Sequence, residues 1–202
     1  YELAEKTGCP IIGVYDSNGG HIDEGLGAMQ SYSKLIAKAD RLSGVIPQIA
    51  VIKGACGASS AIWALCADVV IAAKDAKLFL DKSGKDSNVT ENGNAQIIAE
   101  NLDEAIETAK NLIVALPSNN LSAAPIADAV GNACDCDCII AKIADSGSVI
   151  PLNKNKEYSA KTAFARIGGM SVGMVAVDGT IKSKDCKKII SFVGLCDAFS
   201  MP

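Results

Sequence analysis

The chain is short of aromatic residues, of histidine, of excess positive charge and of long apolar runs, and each shortage removes a class of protein. Aromatics make up 4% of the 202 residues and charged residues 21%, while hydrophobic residues reach 49% and Gly 18. Disordered and fibrous chains lack that much core-forming sequence, so the balance is that of an Ala/Gly/Ile/Val-rich α/β protein. The formal net charge is −4, and the Lys residues are scattered. No basic stripe offers phosphate neutralisation, which argues against nucleic acid as a partner. The central uncharged stretch from Gly54 to Ala67 carries Ser, Cys and Trp and is too short to cross a bilayer. Tyr1-Glu2-Leu3-Ala4-Glu5-Lys6 has neither the cationic nor the apolar region of a secretory signal. A cytoplasmic protein is expected, and the absence of an initial Met suggests a piece of a longer one. The eight Cys are irregularly spaced in a chain with ample apolar content, which reads as reduced thiols rather than a disulfide framework.

What is present alternates between strand and helix signals. Leu3 to Thr7 reads as a helix end, Gly8 as its stop, and Pro10 to Tyr15 as a buried strand that delivers Asp16-Ser17-Asn18-Gly19-Gly20 to a loop. A helix from about Gly25 to Leu42, a strand from Ile46 to Ile52, a small-residue turn opening at Gly54 and a helix over Ser59 to Cys66 follow. Asp68 to Ala73 reads as a third strand, Leu78 to Leu80 as a short fourth, and Lys82 to Asn94 as a polar loop. Asn101 followed by Glu104 predicts an N-cap and capping box ahead of a helix ending at Pro117. Composition changes over Leu121 to Asp137, which reads as a linker with one helical turn. Beyond it a helix over Cys138 to Ala144, paired strands over Phe164 to Ile167 and Ser171 to Val177, and a helix capped by Ser183 and running to Phe199 are expected. The order in the first half implies βαβ crossovers and a mostly parallel sheet.

The segment Gly54-Ala55-Cys56-Gly57-Ala58-Ser59-Ser60-Ala61 is the most distinctive. Small side chains between a strand and a helix allow a ligand to reach the main chain. The first helical turn offers unpaired N–H groups and a positive dipole end to a carbonyl oxygen that becomes an oxyanion. Tight helix–sheet packing also demands small residues, so the pattern alone does not separate the two roles.

Asp16 to Gly25, Ser43 to Ile49, Gly54 to Ala61, Leu116 to Asn120 and Ala163 to Gly173 together resemble, in order, the carboxyltransferase component of biotin-dependent acyl-CoA carboxylases and decarboxylases, of the propionyl-CoA carboxylase beta and methylmalonyl-CoA decarboxylase alpha type. The resemblance implies a crotonase-like fold built from repeated ββα units, here a partial copy of a duplicated two-domain architecture. The organisation it implies is 1–130 as the acyl-CoA-side half, incomplete at its N-terminus, 131–163 as linker and helix, and 164–202 as the start of the biotin-side half. It implies a homo-oligomer, an acyl-CoA substrate, and biotin borne by a biotin carboxyl carrier protein. Carboxybiotin would release CO2 in a closed site, the biotin anion would take the α-proton, and the enolate would attack CO2. The family polarises the thioester carbonyl with the amides of a Gly-Gly pair, which falls here on Ala58-Ser59, or on Gly57-Ala58 if the register shifts by one. Gly57, Ala58 and Ser59 are therefore the implied catalytic positions, with Gly19, Gly20, His21, Ile22, Cys56 and Ser60 against the substrate. With the second strand–turn–helix not reached, the chain alone is not expected to complete a transfer. Two alternatives remain: a non-catalytic acyl-CoA-binding or assembly piece, and an enoyl-CoA hydratase-like crotonase.

Other constellations carry less. His21 near Asp16, Asp23 and Ser59 suggests a hydrolase triad, but Gly57-Ala58-Ser59-Ser60-Ala61 is not a Gly-x-Ser-x-Gly elbow. Asp23 and Glu24 are adjacent and would not converge on one water, so charge complementing the start of the next helix is the expected role. Cys134, Cys136 and Cys138 lack a fourth ligand at zinc spacing, and no metal is expected there.

Overall fold

The computed structural model describes residues 1–81, 89, 93–131, 138–153 and 158–202. The chain forms two compact units, Tyr1–Lys110 and Asn111–Pro202.

In the first unit, helix α1 (Glu2–Thr7) ends on Gly8, whose φ of 66° is the left-handed conformation that glycine adopts without a Cβ clash. Strand β1 (Ile11–Ser17), a 3₁₀ turn (Ile22–Glu24), helix α2 (Leu26–Leu42), strand β2 (Gln48–Gly57), helix α3 (Ala58–Leu65), and strands β3 (Val69–Ala73), β4 (Lys77–Phe79) and β5 (Ile97–Ala99) follow. The sheet order is β1-β2-β3-β5, with β4 pairing β2, and every pairing is parallel, as the alternation of elements implied. β2 is central. Its first half, Ile49 to Ile52, pairs with β3, and its second half, Ala55 to Gly57, pairs with β4. Ile49, Ala50, Val51 and Ile52 are fully buried, the pattern of a parallel strand covered on both faces. The carboxylate of Asp68 accepts the Gln48 N–H at 2.9 Å and the Ser43 hydroxyl at 3.1 Å, and Gln48 Nε2 donates to the Ala39 carbonyl at 2.9 Å. These bonds set where β2 begins relative to the end of α2.

Several expectations need correction here. β1 is an edge strand with Ile12 and Val14 exposed, not a buried one. Gly54 does not open a turn: β2 runs through to Gly57 and the helix starts at Ala58. Glycine serves side-chain approach instead, since a Cβ on Gly54 would lie 2.3 Å from Asp16 Oδ1 and one on Gly57 would lie 2.4 Å from the Phe79 ring. Asp23 and Glu24 fall in the 3₁₀ turn, and the first turn of α2 itself holds no acid. The expected polar loop lies largely outside the described residues, and strand β5 was not expected after it.

Helix α4 (Leu102–Ala115) runs through the boundary of the two units. Its start is as predicted: Asn101 Oδ1 accepts the Glu104 N–H at 2.9 Å, while the Glu104 carboxylate accepts the Glu100 N–H at 2.7 Å.

The second unit contains helix α5 (Ile139–Ile143), strands β6 (Ile150–Leu152), β7 (Ala160–Ile167) and β8 (Met170–Val177), and helix α6 (Ser183–Ala198). The sheet is antiparallel in the order β6-β7-β8. Gly168 and Gly169, with φ of 59° and 84°, make the two-residue turn between β7 and β8. The Asp145 carboxylate accepts both of their N–H groups, at 2.9 and 2.7 Å. α6 covers the sheet through Phe192, whose ring centroid is 5.1 Å from that of Phe164, and through Cys196, which occupies the space a Cβ on Gly173 would need. β6 was not expected, and residues 121–131 contain no helical turn; the rest of that linker, with Cys134 and Cys136, lies outside the described residues. Ser183 is the first helical residue rather than the cap. The Asp185 carboxylate instead accepts the Lys182 N–H at 2.9 Å. Among the described residues no helix is long and apolar enough to cross a membrane.

Candidate functional site

The site is built at the junction of β2 and α3. Gly57 leaves the strand extended, with φ −129° and ψ 157°, and Ala58 then takes a φ of 50° before the helix continues. A Cβ-bearing residue in the left-handed region costs roughly 1–2 kcal/mol. The first-turn amides of α3 have no intrahelical acceptor and point out at the positive end of the helix dipole.

The loop after β1 lies against this turn. A Cβ on Gly19, whose φ is 104°, would stand 3.1 Å from the Gly57 carbonyl oxygen, 3.2 Å from the Ala58 methyl and 3.5 Å from the Ser59 nitrogen. Gly20 packs in the same way on α2, where a Cβ would be 3.1 Å from the Ala28 methyl. A chain of hydroxyls fixes these elements from behind. The Tyr32 and Ser60 oxygens are 2.8 Å apart, Ser60 donates to Ser17 Oγ at 3.3 Å, and the Gly19 N–H donates to that same Ser17 oxygen at 3.3 Å. Trp63 completes the support: its indole N–H donates to the Tyr1 hydroxyl at 2.9 Å, and its ring meets that of Tyr15 edge-on at 5.1 Å.

In front of the turn is a cavity of about 380 Å³, lined by Gly20, His21, Ile22, Gly25, Leu26, Ala28, Met29 and Ser59. Its lip is apolar and open to solvent, with Ile22 78%, Leu26 82% and Met29 67% exposed. His21 Nδ1 is 3.6 Å from Asp23 Oδ2, both side chains being largely in water.

Of the residues selected from sequence, Gly20, His21, Ile22 and Ser59 meet in this cavity, and Gly19 and Gly57 meet at Ala58. Cys56 and Ser60 do not face it. Cys56 is fully buried in the core shared with Tyr15, Ile52, Ala61 and Leu78, because strand alternation turns it inward. Burial, and secondarily the charge of Asp16, pushes its thiol up to about 11, so it is a neutral packing group. Ser60 is buried and engaged with Tyr32 and Ser17. Sequence reasoning missed Ala28 and Met29, which only the docking of α2 brings to the cavity, and the Tyr32–Ser60–Ser17 relay. Tyr32 alone gave a signal, as a polar aromatic on the predicted helix.

The comparisons with known proteins give the fold and the family: the fold is crotonase-like, as in the transcarboxylase 12S structure on which the chain superposes. The carboxyl transferase domain family matches residues 1–83 and 80–202, and the chain belongs to that family. It is 30% identical over 250 residues to the propionyl-CoA carboxylase beta chain of Saccharopolyspora erythraea, covering 100% of this chain and 46% of that protein. It is 31% identical over 240 residues to the methylmalonyl-CoA carboxyltransferase 12S subunit of Propionibacterium freudenreichii subsp. shermanii, again covering 100% of this chain and 46% of the relative. A solved transcarboxylase 12S, described as a hexamer with hydrolysed methylmalonyl-coenzyme A bound, superposes with a TM-score of 0.91 at 30% identity, over 100% of this chain and 48% of that one. The chain thus spans about half the length of the relatives it matches.

Proposed function

We propose that the chain provides the acyl-CoA side of a biotin-dependent carboxyltransferase, with the amides of Ala58 and Ser59 holding the thioester carbonyl of a short acyl-CoA. The observation that carries this reading is the start of α3: an extended Gly57, a left-handed Ala58 and a helix N-terminus facing the cavity lined by Ser59. A carbonyl oxygen seated there accepts hydrogen bonds that strengthen as the α-proton leaves and negative charge gathers on oxygen, so the enolate is favoured over the bound ester. The side chains of this turn carry no acid or base, and Ile22, Leu26 and Met29 offer the acyl group an apolar lip.

The substrates that fit the reading are acetyl- or propionyl-CoA in carboxylation and malonyl- or methylmalonyl-CoA in the reverse sense, and the working form is a homo-oligomer. Biotin on a biotin carboxyl carrier protein gives up the carboxyl group in carboxylation and receives it in the reverse sense. The residues of this turn fit the thioester side, and no described residue is assigned to biotin. Titration of propionyl-CoA into the chain, paired with a carboxyl-transfer assay using carboxylated carrier protein, tests the proposal. Saturable binding in which the propionyl ester exceeds free CoA supports it; equal binding of the two, or none, overturns it.

A further inference from the structure

The second unit holds a separate cavity of about 360 Å³, lined by residues of α5, β6, β7 and α6 together with Tyr158. Its walls are mostly apolar, including Ile140, Val149, Leu152 and Ala163. Among the described residues, Lys161 and Lys188 line it with Asn153, Tyr158 and Thr162, and none of the described lining residues is Asp or Glu. The nearest carboxylate on α6, Asp185, is occupied by the N–H groups of Lys182 and Ala160.

Two features of this wall lack an internal explanation. Thr162 is 2% exposed, and its hydroxyl has no hydrogen-bond partner, a costly state for a buried polar group. Among the described residues Lys188 donates to the Ala160 carbonyl at 2.8 Å, and its ammonium lies 4.6 Å from the centre of the Tyr158 ring. The ammonium has three donors, so an anionic acceptor would complete its set. Burial holds its pKa below the usual lysine value, opposed by the charge of Asp185, which is the state that a bound anion would relieve.

We propose that this cavity binds a small carboxylate with an apolar body: the carboxylate held by the Lys188 ammonium and, after a rotamer change that turns it inward, the Thr162 hydroxyl, and the hydrocarbon against Ile140, Val149 and Leu152. An inorganic anion would leave the apolar wall unfilled, and a neutral hydrocarbon would leave the ammonium unpaired, so both halves of the ligand are specified. The inference does not depend on the acyl-CoA reading of the first unit.

Calorimetric titration of the whole chain with butanoate tests it, with inorganic phosphate and butan-1-ol as the two partial ligands. Saturable butanoate binding is expected, with phosphate and butan-1-ol each weaker by about tenfold or more. Thr162→Val, which keeps the shape and removes the hydroxyl, should weaken butanoate by about tenfold while the unliganded variant melts at or above the parent temperature. Lys188→Met should abolish binding, and because it also removes the bond to Ala160, Thr162→Val decides the matter if the lysine variant is unstable. The proposal is overturned by absence of butanoate binding, by phosphate or butan-1-ol binding as well as butanoate, or by Thr162→Val that binds as the parent does.

Discussion

Gly19 rests on Ala58: the space that a Cβ on Gly19 would fill is bounded by the Ala58 methyl at 3.2 Å and the Gly57 carbonyl at 3.1 Å. The loop after β1 and the turn before α3 are thus held at main-chain distance, and Gly19 needs both its φ of 104° and its missing side chain. Gly19→Ala is expected to lower stability by about 1–3 kcal/mol from backbone strain alone. Pushing the loop off the turn should also weaken propionyl-CoA binding. Chemical denaturation and ester titration on the same preparation read the two effects.

Ala58 shows the converse. Its φ of 50° suits glycine, so Ala58→Gly should raise stability by roughly 1 kcal/mol and leave ester binding intact, because the amide is retained. A drop in the midpoint of denaturation would show that the methyl packs more favourably than the backbone is strained.

In the second unit, Asp145 takes the N–H groups of both turn glycines, Gly168 and Gly169. Asp145→Ala strands those donors and should cost about 1–3 kcal/mol. Hydrogen exchange at Gly168 and Gly169 should accelerate relative to the rest of β7 and β8; unchanged exchange there would mean the turn is held by its glycines alone.

Asp185 gives a pH dependence. Hydrogen bonds from the N–H of Lys182, and then of Ala160 and Ser159, hold its carboxyl below the ordinary aspartate value. A lowered folded-state value means the unfolded chain binds the proton more readily. The stabilisation is therefore full above the unfolded value of about 3.9 and is lost as pH falls through the folded one. Melting of the parent and of Asp185→Asn should differ most at neutral pH and converge in acid; a constant gap down to the acid limit would assign the effect to packing.

The sequence showed the site's main chain better than its walls. Gly54 to Ala61 announced a strand–helix junction through residue size, and Asn101 with Glu104 announced the start of α4, because both signals are local. Ile97–Ala99 and Ile150–Leu152 were invisible as strands: three residues carry no periodicity, and their pairing with β3 and β7 is set by distant sequence. The small residues from Gly54 predict a turn there, whereas β2 continues to Gly57 and the two glycines admit the Asp16 carboxylate and the Phe79 ring. The family resemblance sets Cys56 and Ser60 against the substrate, whereas strand alternation buries Cys56 in the core and the hydroxyl relay holds Ser60 on Tyr32 and Ser17. Ala28 and Met29 reach the cavity only through the packing of α2, which no spacing in α2 reveals.

The most direct measurement is propionyl-CoA affinity of the parent chain beside Ala58→Leu and Ser59→Ala, with circular dichroism confirming the fold of each. Ala58→Leu should lose ester binding because a branched side chain fills the approach to the turn, and Ser59→Ala should bind within about twofold of the parent because the proposed donor is the main-chain N–H. Parent-like binding by a folded Ala58→Leu, or loss of binding in Ser59→Ala, would contradict that role of the turn.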